Sequence, residues 1–303
     1  MAPGWLWIVL TVWAAFAQTL RNAAQRHLIT DLGTLGATLV RFLFGLPFAL
    51  IYFGIVLTIT GDPVPGINLA FIAWVTEGGI CQIAATALLL RVMHERNFAV
   101  GVAYSKTELI QEAIFGAAFL GDPTTLTTVN AVILATIGVL MLSPVDPQRR
   151  LASVVQGWTI RTALLGVTSG AGFALAAVGY RGAALELTDA PYTLAAAYTL
   201  VWAMSVQVLV LGSYLAWTNR AVLVALGGVW RTSMLAGFMG AAASAGWFTA
   251  FTIEPAANVR TLGLVELLFS FAIARRFFSE RLAPAELAGA GMLTLALVIV
   301  TLG

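Results

Sequence analysis

Charged side chains are scarce in this sequence of 303 residues. Only 10% of the residues are Asp, Glu, Lys or Arg, whereas 60% are hydrophobic and the mean hydropathy is +0.91. A soluble domain carries roughly 25% charged residues, and a single core of this length could not bury so much apolar surface. We therefore expect the lipid bilayer to be the solvent around most of the chain.

Several other residue types and motifs are rare or missing. The formal net charge is only +2 and no basic run carries interleaved aromatics, which argues against a nucleic-acid partner. The single cysteine, Cys81, excludes a disulfide within the chain. His27 and His94 are far apart, and no zinc-protease, phosphate-loop or nucleophile-elbow motif occurs. We expect no enzyme activity, no ATP-driven pumping, no metal site and no cofactor.

Apolar runs long enough to cross roughly 30 Å of hydrocarbon as helices recur along the whole chain. The first run lacks a basic segment before it and leads directly into further helices, so it is predicted to be a span rather than a removable signal. We predict about ten spans, at 4–20 (extending towards His27), 33–60, 67–93, 97–120, 124–143, 158–180, 190–217, 228–251, 256–278 and 282–301.

The two halves of the chain resemble each other. A shift of about 158 positions lays residues 99–142 over 257–300 and places Glu108 on Glu266. The longest polar break, 144–156, separates the halves, so we divide the chain into two repeats, 1–148 and 149–303.

The number of spans in each repeat has a consequence for the fold. Five is odd, so the second repeat enters the membrane with the opposite polarity to the first. Inverted repeats of this kind are a recurring architecture of secondary transporters, which bind their substrates near the midplane. The predicted fold class is therefore an all-α integral membrane protein with ten transmembrane helices in two inverted five-helix repeats, and the predicted function is transport.

The predicted loops alternate between the two sides of the membrane, and arginine is distributed unevenly between the two sets of loops. The set with few arginines has little beyond Arg181 and Arg260. Counted alone, this asymmetry places both termini outside the cytoplasm. The arginines that flank the rich set are Arg21, Arg26, Arg91, Arg96, Arg149, Arg150, Arg220, Arg231, Arg275, Arg276 and Arg281.

Glutamates within the predicted spans are the first candidates for a site, because ionisable groups at membrane depth are costly and usually face a cavity. Glu108, Gln111 and Glu112 share one face of the fourth helix, and Glu266 is the repeat counterpart of Glu108. They could form a proton-titrating or cation-coordinating group at the midplane. Alternatively, each glutamate is held in an interhelical hydrogen bond or ion pair.

Other polar residues at membrane depth each have two interpretations. Lys106 points about 200° away from Glu108, so either Glu77 or Glu112 from another turn or helix satisfies it, or it binds a substrate carboxylate. Arg41 either snorkels to the interface or binds an anion. Tyr104, like Phe173 and Trp247, either lines a cavity or packs against helices and lipid. Small residues at helical spacing, Gly166/Gly170 and Ala236/Gly240/Ser244, predict close helix packing.

These segments resemble the EamA family of the drug/metabolite transporter superfamily over essentially the full chain. The most specific stretches begin at Thr107-Glu108 and Val265-Glu266 and reach Gly121-Asp122 and Ser279-Glu280 thirteen residues later, before a last helix with Gly289 and Gly291. The segment Leu39-Val40-Arg41-Phe42 is similar to the arginine-bearing start of the family's second helix. Leu109 and Leu267 occupy the position after each glutamate, where the family often has proline. Asp122 replaces the glutamate that is usual at its position.

The resemblance implies a basket of helices one to four and six to nine around a central cavity, with helices five and ten outside. It implies cytoplasmic termini, contrary to the arginine count, and alternating access driven by a proton or substrate gradient. The expected protein is a bacterial inner-membrane exporter of a small organic solute such as an amino-acid-like metabolite. A multidrug exporter and a non-transporting membrane subunit or receptor are the alternatives. The sequence leaves the solute, the direction, the coupling ion and the oligomeric state open.

Overall fold

The computed structural model describes residues 3–95, 105, 107–122, 126, 129–130, 133–134, 137, 160–269, 291–292, 295 and 299. Over these residues the protein is helical and contains no strand, which confirms the all-α class. Within the described part of the chain, four stretches are long and apolar enough to cross a membrane, namely His27–Thr60, Leu69–Val92, Tyr192–Thr218 and Trp230–Ile253. They coincide with the second, third, seventh and eighth predicted spans; most of the fifth and tenth lies outside the described residues.

The helices follow the predicted order. In the first half they are α1 (Leu6–Leu43), α2 (Leu46–Thr60), α3 (Leu69–Glu95) and α4 (Glu108–Phe115), which continues into a π-helical turn at Gly116–Leu120. In the second half they are α5 (Ile160–Leu185), α6 (Tyr192–Thr218), α7 (Arg220–Ala225), α8 (Trp230–Ile253) and α9 (Ala256–Gly263), after which residues 265–269 are helical again.

The first two predicted spans meet at Gly33, as expected. α1 runs past His27 and bends at Gly33, whose φ of +67° lies in the left-handed region that favours glycine. The predicted span from Gly33 to Thr60 is found as part of one apolar stretch, His27–Thr60, which contains a turn at Phe44–Gly45 between α1 and α2. Pro47 explains this turn: it has no N–H to continue the helix and is well placed in the first turn of a new one.

Two long helix pairs organise the described bundle. α1 packs against α8, and α3 packs against α5. Gly246 of α8 lies against Leu10 and Ala14, whereas Gly240 lies against Arg21, so α1 and α8 run antiparallel. The shorter α4 packs on α5, and α9 packs on α1. The first helix of each predicted repeat therefore contacts the third and fourth helices of the other.

Glycines allow both pairs to pack closely. A Cβ on Gly237 would lie 2.4 Å from the carbonyl carbon of Phe44, and one on Gly170 would lie 2.9 Å from the carbonyl oxygen of Ser105. Gly182 likewise lies against the ring of Trp74. The small residues predicted at helix contacts, Ala236/Gly240/Ser244 and Gly166/Gly170, are all buried.

The outer surface of the bundle is apolar. Ile59 on α2 and Trp217 on α6 are 78% and 86% exposed. Such large exposed side chains are unusual for a protein in water and suit contact with lipid tails. Others of this kind are Ile51, Ile55, Leu209, Val224, Leu235 and Phe238.

Candidate functional site

A cavity of about 40 Å³ lies among α1, α3, α5, α8, α9 and the starts of the two segments that carry Glu108 and Glu266. One water requires about 10–15 Å³ measured in this way, so the space holds a few water molecules. Sites for small molecules are typically about 300–1,000 Å³. Among the described residues the space is therefore smaller than a typical solute site, and a bound solute would need more room than these residues leave.

Glu266 lies at one side of this cavity, in contact with α1. The Gln18 Nε2 amide donates to Glu266 Oε2 at 2.5 Å, and Trp247 Nε1 donates to Gln18 Oε1 at 3.0 Å. The indole thereby sets the orientation of the Gln18 amide, which must present its N–H to the carboxylate. This chain of contacts joins α1, α8 and the helical segment after α9.

Arg260 of α9 lies on an aromatic wall of the cavity. Its guanidinium carbon is 4.8 Å from the ring centre of Trp247 and 5.3 Å from that of Phe251, which are cation–π distances. Its Nε lies 3.8 Å from Oε1 of Glu112, a fully buried carboxylate that stands behind the lining. Arg260 thus has both a π-face and an anion as neighbours.

Arg21 and Arg41 bring two more cations to the cavity from α1. Their side chains are 5% and 3% exposed. Arg21 Nη2 donates to Asn22 Oδ1 at 2.8 Å, and Arg41 Nη1 reaches Thr86 Oγ1 at a long 3.4 Å. Within the described part of the chain, Arg21 Nε and Nη1 and Arg41 Nε have no hydrogen-bond acceptor. Buried donors of this kind normally find partners, so their state requires an explanation.

A buried polar network supports the opposite wall. Tyr180 Oη donates to Gln82 Oε1 at 2.8 Å, and Gln207 Nε2 lies 2.7 Å from the same Gln82 oxygen and 2.8 Å from Tyr180 Oη. These three residues join α5, α3 and α6. The Tyr180 ring lies 4.4 Å from the Phe248 ring, centre to centre, which holds it at the cavity edge.

An ion pair closes one end of the bundle. Arg181, at the end of α5, approaches Asp122 with Nη2 at 3.0 Å and Nε at 3.1 Å. Arg181 Nη1 also donates to the carbonyl of Phe251 and, at 2.8 Å, to that of Glu254. One guanidinium thus ties the segment after α4 to the connection between α8 and α9.

The residues predicted from sequence are only partly brought together. Glu108, Glu266 and Arg41 line the cavity, and Glu112 lies beside it. Gln111 is not among the lining residues, although its Oε1 is buried. Glu77 is also elsewhere, at the α3–α5 contact, where Cys81 Sγ donates to its Oε1 at 3.2 Å. Tyr104 and Lys106 lie outside the described residues.

The sequence interpretation missed Arg21, Arg260 and Gln18. Arg21 is counted from the sequence among the residues that flank the arginine-rich loops; in the structure it is buried in α1 and lines the cavity. Arg260 was also counted among loop residues, although it faces the same space. Helical spacing could have revealed Gln18 and Arg21. Together with Asn22 and Gln25 they fall on one face if the first helix extends past residue 20.

Comparison with known proteins gives a fold and no family. No family model and no curated protein matches the chain. Among solved structures, 28 chains match. One, described as "Crystal structure of protein", has a TM-score of 0.64 and 13% sequence identity over 99% of this chain and 94% of its own. Likeness at this identity shows a shared fold and carries no functional assignment.

Proposed function

We propose that the chain is a secondary transporter of a small organic solute, such as an amino-acid-like metabolite, that works by alternating access. In this proposal the molecule consists of two inverted five-helix repeats of EamA type in a bacterial inner membrane and acts as an exporter. Glu108 and Glu266 bind or release protons as the cavity opens to either side.

The observation that carries the proposal is that Glu108 and Glu266, which the proposed repeats place at equivalent positions, line one cavity. Glu108 begins α4, which packs on α5, and Glu266 follows α9, which packs on α1. Sequence equivalence and spatial convergence are independent properties, and an inverted-repeat transporter requires both.

The reciprocal helix contacts supply a means of movement. α1 with α8 and α3 with α5 form two equivalent antiparallel pairs, each with glycines at its contact. Small residues leave smooth surfaces on which helices can shift without pulling large side chains apart. Rocking one pair against the other would enlarge the closed cavity on one side of the membrane at a time.

A flux experiment with Glu266→Gln tests the proposal. Purified protein is first screened by thermal shift against amino acids, nucleosides, polyamines and drugs, because a bound ligand raises the midpoint by mass action. A stabilising solute is then loaded into proteoliposomes. We expect Glu266→Gln to abolish transport driven by a pH gradient while keeping solute exchange, because glutamine preserves a hydrogen-bond partner for Gln18 and cannot exchange protons.

Glu186→Gln is the matched control. Glu186 lies at the exposed end of α5, where its Oε2 accepts a hydrogen bond from Asn68 at 2.9 Å, far from the cavity lining. This variant is expected to transport at the wild-type rate. Gradient-driven flux that survives in folded Glu266→Gln would reject the role of that carboxylate, and the absence of flux for every stabilising solute would reject transport itself.

A non-transporting membrane subunit is the second candidate. The small volume of the cavity and the Arg181–Asp122 ion pair, which closes one end of the bundle, both favour a permanently shut interior. That candidate predicts neither solute exchange nor gradient-driven flux, so the same proteoliposomes separate the two.

A further inference from the structure

Arg21 and Arg41 occupy neighbouring positions on the same wall of the cavity. Gly240 of α8 contacts both of their stems: a Cβ at this position would lie 3.3 Å from Arg21 Cδ and 3.5 Å from Arg41 Cγ. The two guanidinium groups are also close enough to interact electrostatically. Two buried cations so near to each other are unfavourable unless an anion joins them.

Glu266 is close enough to Arg21 to attract it electrostatically, but among the hydrogen bonds of the described residues none joins Arg21 or Arg41 to a carboxylate oxygen. Glu266 accepts its short hydrogen bond from Gln18, and Glu112 lies beside Arg260 instead. Over the described residues, the hydrogen bonds of Arg21 and Arg41 go to an amide and a hydroxyl, and three of their nitrogen donors have no acceptor. A guanidinium presents its donors as a fork that matches a carboxylate.

Aromatic rings flank the same space. Phe173, Trp247 and Phe248 belong to the lining, together with the ring of Tyr180. A ring or an alkyl body of a solute would lie favourably against them once the helices part.

We infer that Arg21 and Arg41 together bind the carboxylate of the transported solute, which makes the cargo a small organic acid or zwitterion with an apolar body. This inference rests on the proposed transport function and specifies its substrate class. It assigns recognition to the two arginines of α1 and leaves proton exchange to the glutamates.

Three probes with the same phenyl ring and two-carbon chain test the inference: 3-phenylpropanoate carries only a carboxylate, 2-phenylethylamine only an amine, and L-phenylalanine both. Binding to the purified wild-type protein is measured by calorimetry, with inorganic phosphate as a fourth probe. We expect the two carboxylates to bind at least about tenfold more tightly than the amine and phosphate, because a charge-assisted bidentate contact contributes about 1.5–3 kcal/mol.

Substitutions then locate the site. Arg21→Gln is expected to weaken 3-phenylpropanoate binding by about tenfold or more, and Arg21→Lys by less, because lysine keeps the charge and loses the fork. The control is Arg231→Gln. Arg231 is exposed beside Trp230 at the N-terminal end of α8 and is not among the residues that line the cavity. The control should bind as the wild type does.

The outcomes separate this inference from the transport proposal. If the amine or phosphate binds the wild type as tightly as the carboxylates, or if none of the four probes binds, the inference is overturned. Equal carboxylate affinity in wild type and folded Arg21→Gln also overturns it. In each of these cases the transport proposal is still tested separately, by the broad solute screen and by the pH-driven flux.

Discussion

Gly237→Ala is expected to prevent most of the protein from reaching its folded state. The added methyl would lie 2.4 Å from the carbonyl carbon of Phe44 and 2.6 Å from its oxygen, and these are backbone atoms at the break between α1 and α2. A flexible side chain could turn away, but the backbone cannot move without separating α1 from α8. Overpacking typically costs about 1–3 kcal/mol and more where relaxation is blocked, so we expect the upper end.

Gly54→Ala is the matched control for this substitution. Gly54 lies within α2 and has no atom near its hypothetical Cβ, so the same chemical change meets open space. Alanine favours a helix over glycine by up to about 1 kcal/mol, and this variant should be at least as stable as the wild type. The yield of monodisperse protein and the thermal unfolding midpoint in detergent are the measurements. A Gly237→Ala variant with the wild-type yield and midpoint would contradict the described α1–α8 packing.

Arg181→Gln is expected to lower the free energy of unfolding by about 3 kcal/mol, the lower end of the cost of breaking a buried ion pair. The Arg181 and Asp122 side chains are each 12% exposed, and the guanidinium also binds the carbonyls of Phe251 and Glu254. Its removal leaves the Asp122 carboxylate without this cation and two carbonyls without a donor. The unfolding midpoint should fall, and protease cleavage near 251–255 should become faster.

A double-mutant cycle assigns this effect to the pair. Asp122→Asn alone should destabilise the protein, and the double variant Asp122→Asn/Arg181→Gln should lose less than the two single effects combined, because both changes remove one interaction. Arg220→Gln is the control, since Arg220 is exposed at the start of α7, where its Nε donates to the carbonyl of Ala216. Strictly additive effects would show that Arg181 and Asp122 act independently.

The sequence alone singles out Glu108 and Glu266 together, and the structure places both in the lining of one cavity. The shift that lays Glu108 on Glu266 requires no knowledge of packing, and the apolar runs alone indicate the third, seventh and eighth spans within a few residues of α3, α6 and α8. Hydrophobic periodicity and internal similarity are both detected within the sequence itself, so neither requires coordinates.

The burial of the cavity arginines could not be predicted in the same way. Arg21 directly follows the apolar run 4–20, at a place where charge usually marks the end of a span, but α1 continues to the bend at Gly33 and Arg21 is buried within it. The contact of Glu77 with Cys81, by contrast, joins residues four positions apart on α3, so helical spacing alone could have indicated it. Burial of a charge depends on which helix covers it, and that is a tertiary property.

Accessibility of the cavity from both sides of the membrane tests the account most directly. Cys81 is replaced by serine, and Ser244→Cys then places the only thiol in the lining of the cavity. A membrane-impermeant anionic methanethiosulfonate is applied to right-side-out and to inside-out vesicles. The control is Ser233→Cys, which is fully buried on the same helix outside the cavity and should stay unmodified.

Alternating access predicts that Ser244→Cys is modified from either face, and that 3-phenylpropanoate slows the reaction on both. Modification from one face alone, or from neither in a folded protein, would contradict a solute pathway between the two halves.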